Sequence, residues 1–145
     1  MSDLNLKFDE EARDRMISGV EKLSRAVRVT LGPMGKTVAI CVPGKSPRIT
    51  KDGVSVANAI SLKDPYENAG AALVREAAQM SAEIAGDGTT TSTVLAHSII
   101  TQGQKLISAG HSVNDVVRGF KDAAASVKSE LEKTKVPISD RLSLE

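Results

Sequence analysis

Read as apolar and polar positions, the chain is a succession of helices interrupted once by strands. Met16, Val20, Leu23 and Val27 follow one another at helical spacing and define one helix face. Asp9 is expected to cap that helix. Glu10 and Glu11 fall in its first turn and Arg25 and Arg28 near its end, as the helix dipole prefers. The helix stops at Thr30-Leu31-Gly32-Pro33. Before it, Leu4, Leu6 and Phe8 alternate with Asn5 and Lys7, which predicts a short amino-terminal strand. Beyond it, Val38-Ala39-Ile40-Cys41-Val42 and Arg48-Ile49-Thr50 read as a hairpin closing across Pro43 to Pro47. A lone hairpin is marginal in water, so the hairpin and the first strand both call for partner strands, from a distant segment or from another chain.

The remainder is helical. A short helix is expected from about Val54 to Ile60. Asp64-Pro65-Tyr66-Glu67 is a strong helix start, with Asp64 as cap, Pro65 in the first position and Glu67 reaching back as in a capping box. The following spacing assigns Ala69, Leu73, Ala77, Met80 and Ile84 to the buried face, widened by Gly70, Ala71, Ala72 and Ala78. Leu95, Ile99, Gln102 and Leu106 keep helical spacing up to Gly110. Ser112 and Asp115 predict another capping box, and Val116 or Val117, Phe120, Ala124, Val127 and Leu131 give the last buried face. Lys133 and Lys135 close it and Pro137 stops it. Ile138 to Glu145 then begins what reads as a further capped segment. The fold class is mainly α, with a β-hairpin stem-loop and a short amino-terminal strand.

Composition narrows the function classes. The 145 residues suit one domain or part of one, and with aromatics at 2% the core must be aliphatic. A net charge of +1 leaves no large basic excess, which argues against a general nucleic-acid binder. Cys41 stands alone, so no internal disulfide or cysteine zinc cluster can form. His97 and His111 lack a motif partner. No apolar run approaches membrane-spanning length, and Met1-Ser2-Asp3-Leu4 opens neither a secretory signal nor an Arg-rich transit segment. The expectation is a cytoplasmic protein with no membrane or nucleic-acid partner.

The chemistry concentrates in Ala85-Gly86-Asp87-Gly88-Thr89-Thr90-Thr91-Ser92-Thr93, between two long helical segments. Two readings stand. In one, Gly86 ends a helix and a threonine caps the next. In the other, the free amides of the next helix's first turn hold phosphate, and Asp87 holds a magnesium ion that offsets the phosphate charge. The second also accounts for three threonines at a helix start, where β-branched residues are mediocre helix formers. Gly35-Lys36-Thr37 resembles the end of a Walker A loop, but Thr30 stands where its first glycine belongs and a strand follows instead of a helix, so that assignment fails. Lys51-Asp52-Gly53, taken alone, reads as a turn carrying solvated charges.

Four stretches together carry a family resemblance: Val29-Thr30-Leu31-Gly32-Pro33, Ile49-Thr50-Lys51-Asp52-Gly53-Val54-Ser55-Val56, Glu67-Asn68-Ala69-Gly70-Ala71 and Ala85 to Thr91. In order and spacing the chain resembles a group I chaperonin of the GroEL type, from about Phe8 to Asp140. The resemblance implies the amino-terminal half of the equatorial ATPase domain, residues 1–145, with the intermediate and apical domains absent. It implies ATP and magnesium as cofactors. Thr30, Leu31, Gly32 and Pro33 would line the nucleotide through backbone groups, Asp87 would bind the metal, and Gly88, Thr89, Thr90 and Thr91 would hold the phosphates. Lys51 would lie near the phosphate end, and Asp52 would position the attacking water as the catalytic carboxylate.

The same resemblance implies a homo-oligomeric ring, in which the first strand and the hairpin pair with neighbouring subunits. It also implies a co-chaperonin and unfolded client proteins for the complete form. Met34 departs from the family's usual basic residue and Cys41 from its frequent acid. The second catalytic carboxylate would lie beyond Glu145, so the 145 residues alone are expected to be inactive. The competing reading is a truncated, non-catalytic interaction module that keeps the subunit-contact strands. An unrelated kinase-like enzyme lacks any further phosphoryl-transfer motif.

Overall fold

A computed structural model of the chain describes residues 9–44 and 46–136. The expected strand at Leu4–Phe8 and the segment after Val136 lie outside the described residues. The elements run α1 (Asp9–Arg28), β1 (Val38–Ile40), β2 (Arg48–Thr50), α2 (Gly53–Ala59), α3 (Pro65–Ala85), α4 (Thr89–Ser108) and α5 (Val113–Thr134). The fold is mainly α with one small antiparallel hairpin. The chain divides into two bodies, up to Gln102 and from Gly103 onward, with α4 contributing to both.

The first body is organised by α1 against α3. Val20, Leu23 and Val27 of α1, Val56 and Ala57 of α2, and Ala71 and Val74 of α3 form one buried aliphatic cluster. Val38 of the hairpin and Ala96 and Ile100 of α4 pack on its margin. The α1 face is the one the spacing predicts; that of α3 is so only for its small residues Gly70, Ala71 and Ala78. Leu73, Met80 and Ile84 are 54%, 53% and 81% exposed, while Gly70, Ala71, Val74 and Ala78 are buried. The reason is backbone proximity. A Cβ at Gly70 would lie 2.9 Å from Met16 Cα, and one at Gly19 would lie 2.8 Å from Glu67 Cα. Helices this close admit only small side chains between them, so the small stripe of α3 turns inward and its large residues turn out.

Polar contacts rim this interface. Asp64 caps α3 as expected, accepting from the Tyr66 and Glu67 amides at 2.9 and 3.0 Å, and its Oδ2 takes Arg15 Nη1 of α1 at 2.6 Å. Glu67, expected to reach back over the cap, turns its Oε1 to α1 instead, accepting from Ser18 Oγ at 3.0 Å and from Lys22 Nζ. The hairpin pairs Val38 with Thr50, Ala39 with Ile49 and Ile40 with Arg48. Its strands are shorter than the apolar run to Val42 suggested.

The second body is a helical hairpin. The end of α4 closes through Gly110, whose amide reaches Ile107 O at 3.0 Å while His111 N reaches Leu106 O at 3.1 Å, the paired bonds of a Schellman cap. Phe120 of α5 lies against Gly103, where a Cβ would meet Cε2 at 3.1 Å. The predicted buried face of α5 is not buried: no residue of that helix is, and Val117, Val127 and Leu131 are 44%, 58% and 63% exposed. Only Val116 and Phe120 are half-covered. The expected capping box is also missing. Ser112 makes no side-chain cap bond, and Asp115 accepts from Arg118 Nη2 at 2.6 Å instead.

Candidate functional site

Three segments distant in sequence meet at the start of α4. Gly86 ends α3 in the left-handed region at φ +74°, and Gly88 takes φ +78°, a conformation that glycine adopts without a steric penalty. Two such residues flank Asp87 between the end of α3 and the start of α4 at Thr89. Asp87 Oδ1 accepts from Gly88 N at 2.6 Å, and Ser81 Oγ donates to Asp87 O at 2.9 Å. Thr89 O takes the hydroxyls of Ser92 and Thr93 at 2.9 and 2.8 Å. Thr93, fully buried, anchors this turn to the body beneath it. Sequence reasoning missed Ser81; it sits on the last turns of α3 facing the loop, a placement visible only once the helix and loop are folded together.

Thr90 is the meeting point. Its Oγ1 lies 3.3 Å from Thr30 Oγ1, across 60 positions of sequence. Thr30 is buried and donates its hydroxyl to Val27 O at 2.8 Å, which ties it to the last turn of α1. Gly53 faces Thr90 from the other side. A Cβ there would collide with Thr90 Oγ1 and meet Val27 Cγ1 at 3.3 Å, so α2 starts this close to α4 only because position 53 carries no side chain. Sequence reasoning quoted Gly53 within its motif and gave it no part; the reason for a glycine there is steric.

After Thr30 the chain forms a closed turn. Gly35 N donates to Gly32 O at 2.9 Å and Lys36 N to Val29 O at 2.7 Å. Leu31, Gly32 and Pro33 are exposed, as are Lys51, Asp52, Asp87 and Thr91, while Gly88, Thr89 and Thr90 are half-buried. Asp52 caps α2: Oδ1 accepts from Val54 N at 3.2 Å and Oδ2 from Ser55 N at 2.9 Å. The Ser55 hydroxyl bond, with those amides and the nearby Arg48, holds the Asp52 carboxyl below its ordinary value against a smaller cost of partial burial. Arg48 Nη2 of the hairpin in turn reaches Ser55 Oγ at 3.3 Å. Thus Thr30, Gly53 and Thr90 are brought together by direct contacts, whereas Asp52 and Asp87 are exposed and bonded within their own segments, and Leu31, Pro33 and Lys51 stand at the exposed margin of the same loops. Gly35-Lys36-Thr37 leads into β1, as the rejection of a Walker loop requires.

Among the described residues no three or more His, Cys, Asp or Glu side chains gather to hold a metal ion, and no helix is long and apolar enough to cross a membrane. The sequence profile of the TCP-1/cpn60 chaperonin family matches residues 23–145. The chain belongs to the TCP-1/cpn60 chaperonin family. Its fold is similar to that in a crystal structure of a group III chaperonin in the open state, with a TM-score of 0.76 and 25% sequence identity. The match covers 90% of this chain and 26% of that one, so the chain spans about a quarter of that chaperonin's length.

Proposed function

We propose that the chain is the amino-terminal half of the nucleotide-binding equatorial domain of an ATP-hydrolysing, protein-folding chaperonin. The observation that carries this reading is the convergence of Thr30 and Gly53 on Thr90, in the turn that follows Gly88. The proximity of these motifs supports a reading in which the exposed residues beside them would face one nucleotide. The free amides of the first turn of α4, with Thr89, Thr90 and Thr91, would hold phosphate oxygens. Thr30 to Pro33 would line the nucleotide alongside, and Lys51 would add positive charge at the phosphate end.

The donor set suits magnesium. Asp87 is an exposed, hard oxygen ligand with one oxygen occupied by Gly88 N, and magnesium binds through one or two carboxylates plus phosphates and water. Bound there, the ion would neutralise charge on the transferred phosphoryl group. Asp52 is ionised at neutral pH, and its lowered pKa makes it a poor proton acceptor; its part is to orient water through the lone pairs its cap bonds leave free. The complete form would assemble as a homo-oligomeric ring through the hairpin and act on unfolded proteins with a co-chaperonin.

The test is Asp87→Ala in a complete chain containing this segment. Magnesium-dependent steady-state ATP hydrolysis should fall to background, and wild-type turnover would overturn the assignment. The 145 residues alone should neither bind ATP tightly nor release phosphate, because their phosphate-facing surface is open to water, which weakens charge contacts. Calorimetric titration and a phosphate-release assay on the purified chain measure this.

A further inference from the structure

We propose that Arg75 is a positioning residue for Asp52, acting through the carboxyl end of α2. This rests on the reading of Asp52 given above. α2 has seven residues, too few to hold itself as a helix. Its amino end is capped by its own Asp52, and its carboxyl end is held from α3. Arg75 Nε donates to Ala57 O at 3.0 Å and Nη2 to Ile60 O at 2.7 Å, so one guanidinium bridges a carbonyl in the last turn of α2 and that of the residue after the helix. A cation there also complements the helix dipole. One turn on, Gln79 Nε2 reaches Asn58 Oδ1 at 3.2 Å, and two turns back Asn68 Oδ1 accepts Leu62 N at 3.1 Å. Asn68, Arg75 and Gln79 form a single face of α3 that grips α2 and its exit.

The same helix ends at Gly86 and leads directly into Asp87 and the threonine turn. α3 therefore joins two parts of the proposed site: the phosphate-facing turn at its end, and the Asp52 carboxylate through Arg75. The Asp52 carboxylate itself is bonded to the Val54 and Ser55 amides, both within α2, and its position follows wherever α2 is held. Arg75 touches neither the threonine turn nor Asp87 in these contacts, so its loss should displace the water-orienting group and leave phosphate binding in place.

Arg75→Met and Arg75→Lys in the complete chain test this. Arg75→Met should lower kcat by about ten- to a hundred-fold, the range expected when a positioning contact is lost, and should change the KM for ATP by less than about three-fold. Arg75→Lys, which keeps the charge and loses the planar fork, should lie between it and the wild type. Amide exchange at Val54 and Ser55 gives a readout free of turnover: Arg75→Met should speed it while leaving the core of α1 unchanged. Should Arg75→Met fail to fold, Arg75→Lys is read by the same two measurements. Unchanged kcat, a KM that rises in step with the loss of kcat, or unchanged exchange in α2 would overturn the proposal. Asp52→Ala separates the two levels. Wild-type turnover in that variant removes the role assigned to Asp52, whereas an inactive Asp52→Ala beside a fully active Arg75→Met removes only the role assigned to Arg75.

Discussion

α1 and α5 have similar patterns of apolar spacing and opposite fates. On α1, Val20, Leu23 and Val27 are 2%, 0% and 0% exposed; on α5, Val127 and Leu131 remain more than half exposed. The difference is not in the helices but in what faces them. α1 meets a helix whose facing positions are glycine, alanine and valine, so two backbones approach closely and Val20, Leu23 and Val27 are covered. α5 has only the end of α4 in its own body, where Phe120 lies on Gly103 and little beyond that contact is shielded. An amphipathic pattern specifies which face seeks cover, and the size of the residues opposite determines how closely that cover can come. The candidate site is built on the covered side of this contrast, where Thr30 at the end of α1 and Gly53 at the start of α2 are held by the core.

The contrast can be broken most sharply at Gly70. Gly70→Ala places a methyl against the Met16 backbone, which no rotamer change can relieve. It should cost about 3 kcal/mol, at the upper end of overpacking effects, measured as a fall in urea midpoint at unchanged slope. A neutral effect would mean that α1 and α3 do not approach this closely in solution.

Acid should act on the same interface next most strongly. The Glu67 amide, Arg15 and the Tyr66 amide hold Asp64 below its ordinary value of 3.8, and Lys22 and Ser18 hold Glu67 below its ordinary 4.5, both against a partial cost of burial. Groups with depressed folded-state pKa values contribute stability that is present above their unfolded values and lost as pH falls through the folded ones. Stability should therefore be level near neutrality and decline as pH drops below about 4.5, until both carboxyls are protonated. Lys22→Met and Arg15→Met should each lower stability at neutral pH and flatten that decline. An acid limb of the same steepness in both variants would show that these pairs do not bridge the helices.

The smallest effect is expected on α5. Leu131→Lys exchanges an exposed leucine for a solvated charge, and the urea midpoint of the isolated chain should move by no more than about 0.5 kcal/mol equivalent. Its self-association, followed by sedimentation velocity in the ultracentrifuge, should decrease because the largest exposed apolar side chain near the helix end is gone. A large loss of stability would mean that this face is covered in solution.

The sequence alone determined most of the elements and the family. Helical spacing, the Asp64-Pro65 start and the hairpin runs follow from local backbone and side-chain preferences, which act within a few residues and need no partner. The Gly-Asp-Gly and Thr-Lys-Asp-Gly stretches were legible because glycine beside a charged or hydroxyl residue has few purposes, and their joint order carried the family. Only the tertiary structure decided which face of α3 is buried, that Glu67 and Asp115 leave their expected caps for cationic partners, and that Gly53 lets α2 start against Thr90. It also decided that Arg75 reaches the carboxyl end of α2 and that Ser81 bonds the loop at Asp87. Each of these depends on the distance between backbones that are far apart in sequence. That distance is set by the sum of side-chain sizes across a contact, a quantity no single stretch of the chain contains.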